Sequence, residues 1–210
     1  MLSKLNVGPR LFLLVALMTI FMVTIGIIGL RTTSTAVSSL ETVYMDRTLP
    51  LADLSKVARL INANIDQVLR ALQHNPNYEV AKLHDHPVSE HIKRIEANKV
   101  EIDKTWEKYM ATSLTPEEKQ LAEDFVQKRK VFLEETLLPT VQALKNNDYS
   151  LDTTNRFLKG SRTNLKDMSE AMQALIDLQT RVAKEEFGRA EASHAMGRSL
   201  SIGAIVGGVA

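Results

Sequence analysis

An all-α fold, an antiparallel up-down-up-down bundle of four helices anchored in a membrane, is predicted by three features of this 210-residue sequence. Between Arg31 and Lys159 there is no glycine, and strand formers do not alternate with polar residues, so long helices joined by few turns are expected. Apolar residues recur at Leu54, Ala58, Ile61, Ile65, Val68 and Leu72 in alternating steps of four and three, the seam of a packed helix. Both ends of the chain are apolar and uncharged.

At the N-terminal end, Leu11 to Leu30 is twenty residues without a charge. At about 1.5 Å per residue such a helix covers roughly 30 Å, the thickness of a bilayer's hydrocarbon core. A cleaved signal peptide carries a shorter apolar region, about 7–15 residues, ending at small residues. Here the run ends in Gly29-Leu30-Arg31, which reads as an uncleaved anchor. Lys4 and Arg10 precede it, and after Arg31 no Lys or Arg appears until Arg47. The positive-inside bias then puts residues 1–10 in the cytoplasm as a tail, residues 11–30 across the membrane, and residues 31–199 outside as the bundle. Residues 200–210, LSIGAIVGGVA, read as the truncated start of a second span.

The first helix is expected from Arg31 to Asn75, with Pro50 bending it near Leu49 because proline lacks a backbone donor. Asn75-Pro76-Asn77 signals a turn. The second helix packs through Ile92, Ile95, Ile102, Trp106 and Tyr109, with Pro87 marking its start or a break. Thr115-Pro116-Glu117-Glu118 combines a Thr cap, a proline at the first helical position and a Glu able to reach back. The third helix then buries Leu121, Phe125, Phe132 and Leu144 and bends at Pro139. Asn146-Asn147-Asp148 makes the next turn, and Ser150 caps the fourth helix. Leu158, Leu165 and Met172, with Met168, Leu175 and Val182, repeat at seven along it, and no stop is evident before Leu200. Long first and fourth helices thus run into the two apolar ends, and short turns make neighbours antiparallel.

Composition narrows the function. A net charge of +1 excludes a nucleic-acid binder steered by a basic field. Zero cysteines exclude thiolate catalysis and zinc-thiolate or iron–sulfur sites. No phosphate-binding glycine loop, nucleophile elbow or haem-attachment motif is present, so neither an enzyme nor a cofactor is expected. Trp106 and Tyr109 read as packing residues.

Three stretches carry a family resemblance: YMDRTLPLADL, IEANKVEIDKTWEKYMATSLTPEEKQLAEDF and TLLPTVQALKNNDY. In order and spacing the chain resembles the extracytoplasmic ligand-binding domain of bacterial methyl-accepting chemotaxis proteins, flanking membrane helices included. The resemblance implies a homodimer in the inner membrane with its sensor domain in the periplasm. It also implies a small-molecule ligand, and a signal passed along the fourth helix to a cytoplasmic histidine kinase and coupling protein. A sensor histidine kinase or cyclic-dinucleotide enzyme could carry the same input domain, and a bundle that senses through a periplasmic partner protein is a third possibility. In aspartate receptors of this family, arginines on the first helix and polar groups at the start of the fourth hold the ligand's carboxylates. Arg70 falls at one such arginine position, whereas Asp66 and Ile61 stand at two others.

Candidate ligand-binding residues follow. Arg59, Asn62, Asp66 and Arg70 lie opposite the apolar seam and are expected to line a pocket at the subunit interface. The alternative is a solvated Asp66–Arg70 pair worth about 0.3–0.5 kcal/mol. Arg156, Lys159, Ser161, Arg162 and Thr163 near the start of the fourth helix add positive charge and polar groups, favouring an anionic organic acid or amino acid. The stretch from His84 to His91 offers metal-ligand types in His84, Asp85, His86, Glu90 and His91. Residues two apart on a helix do not face each other, so this stretch is expected to be a polar, solvent-facing lead-in to the second helix, without metal. The lone Glu191-x-x-His194 is read as chance, since di-iron bundles need two such motifs.

Overall fold

The computed structural model describes residues 6–209, which contain helices and turns but no strand. The all-helical expectation therefore holds. The helices are α1 (Val7–Thr42), α2 (Leu49–Leu72), α3 (Ser89–Met110), α4 (Pro116–Phe132), α5 (Leu138–Lys145), α6 (Leu151–Arg162) and α7 (Asn164–Val209). They group into two compact units, one of Asp46–Arg181 and the other from the chain on either side of it.

Within the central unit, α2 buries Leu54, Val57, Ile61, Asn64, Val68 and Ala71. Half of the predicted seam is therefore displaced by one residue: Ala58, Ile65 and Leu72 only flank the core, half-buried. Both lines border Leu54, Ile61 and Val68, and contact with α3 selects the polar-containing one, where Asn98 Nδ2 donates to Asn64 Oδ1 at 2.9 Å. Asp53 meets Lys108 at 2.8 Å near one end of α2 and Gln67 meets His91 at 2.7 Å near the other, so α2 and α3 run in opposite directions. The same reversal relates α3 to the α4–α5 stretch, through Trp106 against Phe125 and Glu96 against Lys145. The predicted packing residues Ile92, Ile95, Ile102, Trp106, Tyr109, Phe125, Phe132 and Leu144 are buried, each large apolar side chain contributing roughly 1.5–3 kcal/mol, whereas Leu121 is only half-buried against the core.

Local signals in the sequence act as expected at several ends. Thr115 Oγ1 accepts from Glu118 N at 3.2 Å while Glu118 Oε2 accepts from Thr115 N at 2.6 Å, a reciprocal cap. Ser150 Oγ accepts from Thr153 N at 3.3 Å to start α6. Asn147 adopts φ 55° in the preceding turn, a left-handed conformation that asparagine tolerates. At Pro50 and Pro139 the expected bends are π-helical turns, Val43–Thr48 and Leu133–Leu137, each just ahead of the proline. A proline breaks the regular four-residue ladder, and widening the turn by one residue accommodates it.

The uninterrupted fourth helix expected from Ser150 onward is not found. It breaks at Thr163, φ −114° and ψ −83°, between α6 and α7. Just before the break, Gly160 lies so close to Thr136 that a Cβ there would overlap the threonine side chain. On the other side, Asn164 Nδ2 donates to Glu135 Oε2 at 3.1 Å and to Thr136 Oγ1 at 3.4 Å. Counting by sevens across this break fails, and Leu158 is exposed while Met168, Met172 and Leu175 are buried.

In the second unit, Gly197 of α7 lies so near Thr32 of α1 that a Cβ there would overlap the threonine side chain. Gly29, Thr32, Thr33, Ala36, Gly197 and Ser201 share a groove there, small residues that allow two helix backbones to approach. Leu11, Phe12, Leu14, Leu17, Met18 and Ile20 remain exposed on α1. Among the described residues, the helical run Val7–Leu72 is the one long and apolar enough to cross a membrane, with a window of mean hydropathy 2.8. The expected tail over residues 1–10 lies partly outside the described residues, as does Lys4.

Candidate functional site

On α2 the core stripe forces Arg59, Asn62, Asp66 and Arg70 outward, and all four are exposed. Arg70 Nε donates to Asp66 Oδ2 at 2.7 Å, so in the isolated chain the arginine is held by its own helix. Beside this row, Asn62 lines a cavity of about 130 Å³ with Ala58 and Ile61 of α2 and Met168, Met172 and Ile176 of α7. The two helices are thus neighbours along that flank. A carboxylate brought to Arg70 must compete with Asp66, and the fixed fork of the guanidinium can serve either.

The second group of predicted residues straddles the break between α6 and α7. Arg156 Nη2 donates to Asp152 Oδ2 at 2.9 Å, and Arg162 Nε to Leu158 O at 3.3 Å. Lys159 is exposed, and Thr163 Oγ1 donates to Lys159 O at 3.1 Å. Ser161 differs from the rest: its Oγ is buried and has no hydrogen-bond partner among the described residues. The predicted residues therefore form two sets, one on α2 and one around the end of α6, and Arg70, Arg156, Arg162 and Thr163 each donate to a residue four positions away. The break at Thr163, unforeseen in the sequence, leaves Lys159 and Arg162 in the last turn of α6.

A buried polar cluster lies elsewhere in the central unit. Glu118 accepts from Arg47 Nη1 at 3.5 Å and from Gln179 Nε2, in addition to its capping role. Tyr109 packs close by, and burial pushes its phenol up to about 12, the nearby Glu118 adding to the shift. Its hydroxyl has no partner of ordinary hydrogen-bond geometry among the described residues. The cluster joins the π turn, the end of α3, the cap of α4 and α7.

The stretch predicted to be a solvent-facing lead-in is a cluster instead. His74, just beyond α2, converges with His84, His86 and His91, each offering a ring nitrogen within 4.8 Å of the others. The objection about helix spacing does not apply, because this segment is not α-helical. A 3₁₀ turn (Glu79–Leu83) ends in extended backbone at His84, φ −81° and ψ 118°, and Pro87 holds α3 off until Ser89. His91 is buried in the first turn of α3, and the other three are half-buried. Burial pushes the His91 imidazole down to about 4, with His74, His86 and His84 adding to the effect. His74 is lowered by the same causes, burial first. Both shifts favour the neutral imidazole at His91 and His74. His74 could not be found by spacing, since ten residues and a turn separate it from His84.

Comparison with known proteins matches the sequence to a family of ligand-binding domains. The chain belongs to the family described as the Tar ligand binding domain homologue, whose model matches residues 1–183. It is similar to the methyl-accepting chemotaxis protein NahY of Pseudomonas putida, at 27% identity over 224 aligned positions. That alignment covers 99% of this chain and 37% of NahY, so the chain spans little more than a third of that relative's length. No solved structure matches.

Proposed function

We propose that this chain is the sensor part of a bacterial chemoreceptor, binding a small anionic organic acid or amino acid outside the inner membrane. The observation that carries the reading is the family match across residues 1–183, laid over a unit whose α2 turns Arg59 and Arg70 away from its own core. The bundle is up-down-up-down, residues 11–30 anchor it, and residues 31–199 form the periplasmic domain. It is not an enzyme. Two copies pair so that the exposed α2 row of one faces the α6–α7 junction, where Arg156, Lys159 and Arg162 supply positive charge and Ser161 an unused hydroxyl. Ligand trades the Asp66–Arg70 contact for a charged hydrogen bond to the ligand, and α7 carries the change toward a cytoplasmic kinase and coupling protein.

Isothermal calorimetry of the detergent-solubilised chain against a panel of organic acids and amino acids tests this. Saturable heat with one anionic compound is the expected result. Absence of heat across the panel would sink direct binding and favour sensing through a partner protein.

A further inference from the structure

The four histidines between α2 and α3 are arranged as ligands rather than as a polar surface. His91 Nδ1 lies 2.7 Å from Gln67 Oε1, an acceptor, so Nδ1 carries the proton and Nε2 is left with a free lone pair. His86 Nδ1 lies 2.9 Å from Asp85 Oδ1 with the same consequence for its Nε2. Those two Nε2 atoms face each other at 3.0 Å. Two lone pairs at that distance repel unless something positive lies between them. His74 Nε2 is buried and has no hydrogen-bond partner among the described residues. The ring centroids of His74 and His84 are 4.0 Å apart, which completes a tight group of four.

We propose that His74, His84, His86 and His91 bind one divalent first-row transition ion of the imidazole-preferring kind, such as Zn²⁺, Ni²⁺ or Cu²⁺. Metal–nitrogen bonds of about 2.0–2.1 Å place tetrahedral ligand atoms roughly 3.3–3.4 Å apart. The ring nitrogens here already lie within 4.8 Å of one another, so small side-chain rotations close the shell. Gln67 and Asp85 act as the outer partners that fix tautomer and ring orientation, the usual requirement at a histidine site. Asp85 also supplies a negative charge beside an otherwise neutral ligand set. Hard cations are excluded by the chemistry, because Ca²⁺ and Mg²⁺ need an oxygen cage. A bound ion ties the end of α2, the segment after the 3₁₀ turn and the start of α3 into one joint. It is separate from the anion-binding reading and does not depend on it.

The test uses the full chain in detergent, stripped with a chelator and titrated with Zn²⁺ and with Co²⁺. One ion per chain, micromolar or tighter, and the visible absorption of four-coordinate cobalt are expected. His84→Gln and His86→Gln should each weaken Zn²⁺ binding at least tenfold, and His194→Gln, which alters the remaining histidine, should leave it unchanged. Both altered side chains lie outside the helices, so far-ultraviolet circular dichroism should be unaffected. Sub-stoichiometric binding, an octahedral cobalt spectrum in the unaltered chain, or affinity indifferent to His84 and His86 overturns the proposal. Ca²⁺ competing as well as Zn²⁺ would do the same. Organic-acid titration of the stripped chain reports on the other site, so either can fail alone.

Discussion

Arg47 Nη1 lies 3.5 Å from Glu118 Oε1, and both side chains are almost wholly shielded from water, at 11% and 2% exposed. Such a pair contributes little net stability, yet removing one partner takes a charged contact away from the other inside the protein. Glu118→Ala should cost about 3–5 kcal/mol in chemical denaturation, since it also removes half of the Thr115 cap. Replacing both residues, Arg47→Met with Glu118→Leu, should recover most of that loss. Equal damage from the single and double changes would show the pair to be favourable in itself.

Gly160 gives a steric prediction. Gly160→Ala should destabilise the chain by about 1–3 kcal/mol, because the new methyl overlaps the Thr136 side chain. Adding Thr136→Ala opens the space and should restore the midpoint of thermal unfolding in part. A Gly160→Ala chain as stable as the original would mean α6 shifts freely there.

Tyr109 predicts an alkaline limit. Its phenol ionises near 10 in the unfolded chain but at about 12 when folded, so the folded state retains the proton longer. The raised value makes this contribution complete below pH 10 and lost as pH rises from about 10 to about 12. Tyr109→Phe removes a hydroxyl without a partner and should be close to neutral at pH 7. It should also flatten the fall in stability across that alkaline window, measured by urea unfolding at several pH values.

Arg70 tests the ligand site directly. Arg70→Ala should weaken an anionic ligand by about 2 kcal/mol or more, roughly thirtyfold in calorimetric affinity. Unchanged affinity would take Arg70 out of the site. If the site is shared between copies, ligand should also strengthen the dimer in sedimentation velocity.

The sequence made the helices legible where periodicity and capping act over short range. Leu54, Ile61 and Val68 declare the buried face of α2, and Thr115 with Glu118 marks the start of α4. Whether Val57 or Ala58 completes the stripe depends on which neighbour arrives, and that is tertiary information. The break at Thr163 falls just after Gly160 presses against Thr136, a contact between segments more than twenty residues apart. The histidine cluster escaped for the same reason. Its members converge only because a 3₁₀ turn and Pro87 fold the segment back toward the end of α2.

The π turn at Leu133–Leu137 bears on how this chain tolerates change in length. Its buried apolar residues step by seven from Phe125 to Phe132, by five to Leu137, then by four and three to Val141 and Leu144, with Thr136 and Thr140 buried between them. The step of five is one residue more than an ordinary helical turn uses, and the wide turn absorbs it. A single-residue deletion at Glu134 or Glu135 would convert the step to four and the turn to regular helix, leaving both flanking faces on the core. The same deletion in the middle of α3 would rotate everything after it by about 100°. At this turn, then, the gene can lose one codon and still bring the same faces to the core.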